Sequence, residues 1–336
     1  MSIMLGTTLY SMTNEWLAGQ YTLSSLIDEV GRRGLGPGVE VIGFQSLRGF
    51  PNKVPDEELR ALRDAIERNG LVPTSLASNA DIALRADQWM DVDRSVEYMR
   101  PQIELAGELG FPVVRTQIGL TPEVLEKIEP IAAKAGVKLG MEVHAPEGPN
   151  TPKVMATREA YARIDSEYLG FVPDFSSCMR AIPVGMLDKL RRDGLSDEGI
   201  ESLKRAWEAP GAPFQRYGQF AAECAERGEP ELPVGFARLV FTMFGRENLE
   251  DWREVLPQVV HIHGKFYDVD ESLESPSIDY ESIMKVFSEL DRTVSMSTEW
   301  EGHAYLDADE QNAFDMVARH HAMCRRFLGE DGIATA

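Results

Sequence analysis

Apolar residues fall along the chain in short runs, and most runs are followed by a stretch with apolar positions at helical spacing. Eight runs read as strands: 3–9 (IMLGTTL), 38–42 (GVEVI), 71–76 (LVPTSL), 112–117 (PVVRTQ), 137–143 (VKLGMEV), 169–174 (LGFVPD), 258–263 (QVVHIH) and 294–299 (VSMSTE). Between them the spacing predicts helices. Leu59, Leu62 and Ile66 share one face of 55–68. Segment 121–135 opens with Thr121-Pro122-Glu123, an N-cap followed by proline at the first helical position. Segments 92–109 and 310–328 read the same way. Gly70-Leu71 and Gly136-Val137 each stop a helix and start a strand, since a helix C-terminus favours a left-handed residue.

Eight strands alternating with helices imply an α/β fold with a parallel sheet, and eight close a (β/α)8 TIM barrel, here one domain over 1–336. An open doubly wound sheet would carry a Gly-rich phosphate turn after its first strand, and Gly6-Thr7-Thr8-Leu9-Tyr10 is not one. One interval breaks the rhythm. Residues 175–257, between the sixth and seventh strands, are too long for one crossover and read as helices near 184–192, 197–208, 213–227 and 233–246. An insertion there lies over the barrel mouth, so a helical cap is expected. The segment 329–336 reads as a frayed tail.

The composition narrows the partners. Of 336 residues, 34 are Lys or Arg and 55 are Asp or Glu, a formal charge of −21 that repels phosphate backbones and anionic lipid. Neither nucleic acid nor membrane is an expected partner. The three cysteines, Cys178, Cys224 and Cys324, form no CxxC pair, which excludes a zinc ribbon or a disulfide framework. No stretch reaches the ~18 apolar residues of a membrane span. The start, Met1-Ser2-Ile3-Met4-Leu5-Gly6, has no basic region, so a cytoplasmic setting is expected.

In such a barrel the site gathers at the C-terminal ends of the strands. The fifth end reads Met141-Glu142-Val143-His144 and the sixth Val172-Pro173-Asp174. The seventh reads His261-Ile262-His263-Gly264-Lys265, and the eighth Ser297-Thr298-Glu299-Trp300-Glu301-Gly302-His303. Three carboxylates and an imidazole buried together need a counter-charge, which a divalent cation supplies. Glu142, Asp174, His263 and Glu299 are therefore the candidate ligands. A set rich in oxygen, with one nitrogen, suits Mn²⁺, Mg²⁺ or Co²⁺ better than a thiolate-loving ion. Strand periodicity sets His144 on the face of Glu142, one step up the mouth, where an imidazole suits a general base. His261 shares the face of His263 one layer deeper and reads as a hydrogen-bonded core residue. Lys265, His303 and Glu301 are candidates for substrate contacts. Arg115 joins them if it and Gln117 point inward rather than Thr116. His320 and His321 read as structural, and Cys178 as a buried thiol.

The motifs GMEVHAP, GFVPDFS, VVHIHGK and STEWEGH resemble the xylose isomerase-like barrel superfamily of sugar isomerases, epimerases and apurinic endonucleases. The resemblance covers most of the chain. Its Glu–Asp–His–Glu set marks the superfamily, not one reaction. Within it the chain is most similar to the α (catalytic) subunits of bacterial C-glycoside deglycosidases, through His144 after Glu142, the long segment after Asp174, and the HIHGK and STEWEGH runs. That resemblance implies a lyase for 3-oxo C-glucosides, a Mn²⁺-type ion, His144 as base and a small β subunit in a hetero-oligomer. A C–C glycosidic bond has no leaving oxygen to protonate, so two-carboxylate hydrolysis does not apply. A 3-oxo group instead acidifies C2, and loss of that proton permits elimination across C1–C2. The chain has no dinucleotide fingerprint, so another enzyme would supply the ketone. The alternatives are a metal-dependent isomerase or epimerase of ketoses and a binding protein with a structural ion. An apurinic endonuclease would need more His and a basic face.

Overall fold

The computed structural model describes residues 2–78, 83–85, 88–117, 119–307, 309–329 and 332–334, with 83–85 and 88–89 as backbone alone. Among the described residues eight parallel strands form one sheet. They are β1 (Ile3–Thr8), β2 (Gly38–Ile42), β3 (Val72–Ala77), β4 (Val113–Thr116), β5 (Lys138–Val143), β6 (Leu169–Pro173), β7 (Ile262–Phe266) and β8 (Val294–Trp300). The hydrogen-bonded order runs β6-β5-β4-β3-β2-β1-β8-β7. The two ends meet through single parallel bridges, Phe171 to Val259 and Asp174 to His263, so the barrel is nearly closed. The second bridge sets two candidate ligands side by side.

The strands are buried along most of their length, because helices cover the outside and side chains fill the inside. β1 and β2 approach so closely that a Cβ at Gly6 would lie 2.8 Å from the Gly38 backbone. The surrounding helices are α1 (Leu23–Arg32), α2 (Asp56–Arg68), α3 (Val92–Leu109), α4 (Pro122–Ala135) and α5 (Pro152–Ile164). Between β6 and β7 come α6 (Val184–Arg192), α7 (Asp197–Glu208), α8 (Pro213–Arg227), α9 (Glu231–Phe236) and α10 (Arg238–Met243). α11 (Tyr280–Phe287) and α12 (Ala313–Leu328) complete the order. Leu59, Leu62 and Ile66 do bury one face of α2. Thr121 Oγ1 accepts from Val124 N at 3.4 Å to cap α4, and Gly136 ends that helix at φ 68°.

Beyond shifts of one to three residues at other element ends, three differences from the sequence expectation stand out. The seventh strand starts at Ile262 rather than 258, because Leu256–Gln258 is a 3-10 turn. Its Pro257 has no N–H to give a strand ladder. His263 is therefore the second residue of β7, with Lys265 nearer its end. The helix expected over 233–246 is two, α9 and α10, meeting at Ala237. Gly235 in the last turn of α9 is a poor helix former. The tail is partly tied down: Ile333 bridges Ile3, and Ala334 N donates to Ile3 O at 3.1 Å. β2 pairs with β1 only from Gly6 onward, which leaves the Ile3 backbone free on that side. Residues 330–331 and 335–336 lie outside the described residues.

The segment between β6 and β7 packs around its own aromatic residues. Trp207, Phe220 and Phe241 are fully buried, and Trp207 Nε1 donates to Phe244 O at 2.8 Å. Its end is tied to the barrel by Tyr267 Oη, which donates to Met243 O at 3.1 Å. Among the described residues no helix is long and apolar enough to cross a membrane.

Candidate metal centre

Four consecutive strands deliver one side chain each to a common point. Glu142 from β5, Asp174 just past β6, His263 from β7 and Glu299 from β8 are all buried, and each offers a ligand atom within 4.8 Å of the others. His263 Nδ1 lies 2.6 Å from Glu142 Oε1 and 2.8 Å from Glu299 Oε2. The registers explain the convergence: Ser297 of β8 is the partner of His263, and Glu299 that of Lys265.

Two cations flank this set. Lys265 Nζ lies 3.2 Å from Asp174 Oδ2, 3.0 Å from Glu299 Oε1 and 3.0 Å from Glu301 Oε2. Arg115 Nη1 lies 3.5 Å from Glu142 Oε2 on the other side. Burial opposes the charge on Lys265, but Asp174, Glu299 and Glu301 hold its ammonium well above the usual range. Burial likewise opposes ionisation of Glu142, and Arg115 and His263 hold it well below the usual carboxylate range. The His263 imidazole is raised well above its ordinary value, against burial, by Glu40, Glu299 and Glu142. Burial pushes Asp174 up to about 6, a rise that Lys265 limits and that Glu299 and Glu142 reinforce.

A cavity of about 460 Å³ opens beside the set. Its walls include Glu142, Glu299, His144, Arg115, Lys265 and Glu301. Arg115 and Gln117 both line it, so this pair faces the mouth. His144 is half-buried, with Nδ1 2.6 Å from its neighbour's carbonyl, Ala145 O. In the neutral ring Nδ1 then carries the hydrogen, and the lone pair falls to Nε2, which has no hydrogen-bond partner among the described residues. His303 is not among the lining residues. It stacks edge-on against Tyr10 at 4.9 Å and bonds Trp300 O through Nδ1 at 3.0 Å.

The sequence is similar to known proteins over almost its whole length. Residues 35–320 match the family model for xylose isomerase-like TIM barrels. A C-glycoside deglycosidase alpha subunit of Arthrobacter globiformis is 38% identical over 98% of this chain and 92% of its own length. The chain belongs to the C-glycoside deglycosidase alpha-subunit family. A 3'-dehydrocarminate deglycosidase alpha subunit of a Microbacterium species is 35% identical over 97% of this chain and 95% of that one. The name alpha subunit implies a partner subunit for these relatives. Among solved structures, D-allulose 3-epimerase of Methylomonas sp. shares the fold at TM-score 0.58, with 10% identity over 97% of this chain and 98% of that one.

The centre of this deglycosidase-family barrel fits a divalent ion. Five carboxylates, Glu40, Glu142, Asp174, Glu299 and Glu301, meet the guanidinium of Arg115 and the ammonium of Lys265. Asp174 Oδ2 and Glu299 Oε2 are buried and accept no well-directed hydrogen bond, although Lys265 and His263 lie near them. Three carboxylate ligands and one nitrogen are a donor set for an oxygen-preferring ion.

Some residues of the centre escape a reading of strand ends. Glu40 sits in the middle of β2, fully buried, and bonds both His261 and His263. Burial opposes its ionisation, yet His263 and His261 hold it well below the usual carboxylate range. Its signal was a lone carboxylate inside GVEVI. Tyr10 Oη donates to Glu301 Oε1 at 3.3 Å and lines the cavity, and Tyr267 Oη lies 3.3 Å from Glu301 Oε2. Thr242 and Met243 bring the end of α10 into the cavity wall. His320 is buried against Phe266 with ring centroids 4.2 Å apart, and His321 Nε2 donates to Gly6 O at 3.1 Å, as befits structural residues. Cys178 is half-buried rather than buried, and desolvation pushes its thiol up to about 11.

Proposed function

We propose that this chain is a carbon–carbon lyase that cleaves the C-glycosidic bond of 3-oxo C-glucosides of flavonoid or polyketide type. The carrying observation is that His144, with a free Nε2, lines the same cavity as Glu142 and Glu299 of the candidate metal set. The names of relatives aligned over almost the whole chain support the same reaction class.

Glu142, Asp174, His263 and Glu299 would hold the ion, with Mn²⁺ first and Mg²⁺ or Co²⁺ also compatible. When bound, a divalent ion supplies positive charge beside the 3-oxo oxygen. His144 Nε2 takes the proton from C2 of the sugar. The C2–H electron pair becomes the C1=C2 double bond as the C1–aglycone bond breaks, and that bonding pair leaves on the aglycone carbon. The same carbon takes up a proton from water, and the His144 imidazolium returns its own to solvent, so the products are the free aglycone and an enone sugar. Arg115 and Lys265 bring positive charge to the cavity wall, where negative charge develops on the sugar oxygens. Glu301, accepting from Lys265 and Tyr10, fixes the ammonium at that wall. Position at the rim, behind Tyr10, gives His303 a supporting part in shaping the wall rather than direct contact.

The cap over 175–257 would close the mouth, because Thr242 and Met243 already form part of the wall. A small β subunit in a hetero-oligomer, and a cytoplasmic setting without nucleic-acid or membrane partners, complete the proposal. The test is proton NMR in D₂O on the purified chain, with and without a co-expressed β subunit, given a 3-oxo C-glucoside. Free aglycone with an enone sugar, in the Mn²⁺-loaded sample and not in a chelated one, is expected. Deuterium at C2 or an isomerised sugar without aglycone release would replace the lyase by an isomerase or epimerase.

A further inference from the structure

The fully buried carboxylate of Glu40 lies outside the four-residue ligand set and outside the cavity wall. Its neighbours on β2, Val39, Val41 and Ile42, are buried too. A carboxylate in such a setting is costly unless every oxygen is bonded. Oε1 accepts from Thr8 Oγ1 at 3.0 Å. Oε2 accepts from two imidazoles, His261 Nε2 at 3.1 Å and His263 Nε2 at 3.0 Å. The two rings stand nearly perpendicular, 85° apart, and so converge on one oxygen from different directions. His261 is itself held by Ser295 Oγ, 2.7 Å from Nδ1, and by Ser297 Oγ, 3.0 Å from Nε2.

This arrangement determines which nitrogen of His263 is available. A carboxylate offers acceptors alone, so the nitrogen facing it carries the hydrogen. Nδ1 of His263 faces carboxylates too, Glu142 Oε1 and Glu299 Oε2, but both belong to the proposed ligand set, so an ion held there would displace the Nδ1 hydrogen and leave the one on Nε2.

We propose that Glu40 is a positioning residue that fixes the His263 tautomer, with Nδ1 presented to the ion and Nε2–H held by Glu40, while His261 and its serines keep Glu40 in place. The inference rests on the ligand set proposed above. A carboxylate behind a metal-bound imidazole orients the ring and strengthens it as a donor, and its removal commonly weakens metal binding about 10–100-fold. The network spans β1, β2, β7 and β8, so it also ties the ligand strand β7 to the opposite side of the barrel.

The first test uses the unmodified full chain, labelled with ¹⁵N-histidine and loaded with diamagnetic Zn²⁺. Long-range ¹H–¹⁵N correlation spectra are assigned with His261→Gln and His263→Gln. The expected spectrum has Nδ1 of His263 metal-bound, Nε2 of His263 protonated, and His261 neutral with its proton on Nε2. An ion on Nε2 of His263, or a second ion between Glu40 and the two imidazoles, overturns the proposal. The second test is Mn²⁺ titration of Glu40→Gln, which keeps the shape and removes the charge. A loss of about 10–100-fold in affinity at unchanged one-ion stoichiometry is expected, and unchanged affinity overturns the proposal. If Glu40→Gln does not fold, the spectrum of the unmodified chain decides. Failure of the unmodified chain to bind an ion at His263 at all would instead overturn the ligand set itself.

Discussion

The Lys265 ammonium lies 3.0 Å from Glu299 Oε1, and the two residues are register partners across the β7–β8 ladder. Lys265 also reaches Asp174, so one buried cation touches two of the four candidate ligands. Removing one member of a buried charge cluster strands the others. Lys265→Met is therefore expected to destabilise the chelated protein by about 3–5 kcal/mol. Mn²⁺ should then raise the melting temperature of the variant by more than it raises that of the unmodified protein. Calorimetry with chelator and with Mn²⁺ measures both shifts, and equal increments in the two proteins would refute the coupling.

His144 stands beside the ligand set without belonging to it, its Nδ1 engaged with Ala145 O. His144→Ala is expected to retain Mn²⁺ and to lose turnover by ~10²–10⁴-fold, the usual worth of a positioned base. Metal analysis and product release measured on the same sample separate the two effects. Turnover near that of the unmodified enzyme would remove His144 from the base role.

Glu299 and Glu301 are two residues apart and both face the cavity, but only Glu299 is within the ligand set. Glu142→Gln and Glu299→Gln are expected to lose bound Mn²⁺ on desalting, whereas Glu301→Gln keeps it and weakens catalysis through Lys265. Metal content by mass spectrometry distinguishes them. Full Mn²⁺ occupancy in Glu142→Gln would sink the assignment.

Much of this centre was legible because period-2 strands in a barrel put chemistry at predictable heights. Glu142, Asp174 and Glu299 are polar residues ending apolar runs, and that contrast marks them. His263 was found despite a misplaced strand, since its inward face survives a shift of the boundary from 258 to 262. Glu40 was hidden for the opposite reason: it sits in the interior of a short apolar run, where only the three-dimensional partners His261 and His263 make sense of it. Tyr10 follows the end of β1 in a 3-10 turn, Leu9–Met12, and strand periodicity does not reach it. The inward choice between Arg115 and Thr116 depended on the barrel closing, which a single strand cannot reveal.

The affinity of the centre for its ion should depend on pH with a break near 6. Burial, with Glu299 and Glu142 against Lys265, pushes Asp174 up to about 6, so below that pH the carboxyl holds a proton that an ion must displace. His263 is raised well above its ordinary value, against burial, by Glu40, Glu299 and Glu142, so its proton too competes with the ion. Glu142 and Glu299 are both lowered, against burial, by neighbouring cations and release none. The sign follows directly: binding strengthens as pH rises, because protons and ion compete for the same atoms. Below about pH 6 the Asp174 proton adds to the release, which steepens the dependence by roughly tenfold in affinity per pH unit. Above it that contribution ends, and the dependence should be shallower. Mn²⁺ titration calorimetry from pH 5 to 8, in buffers of different ionisation enthalpy, counts the released protons. In Asp174→Asn the lower limb should lose its extra proton, and a pH-independent affinity in the unmodified protein would rule out this competition.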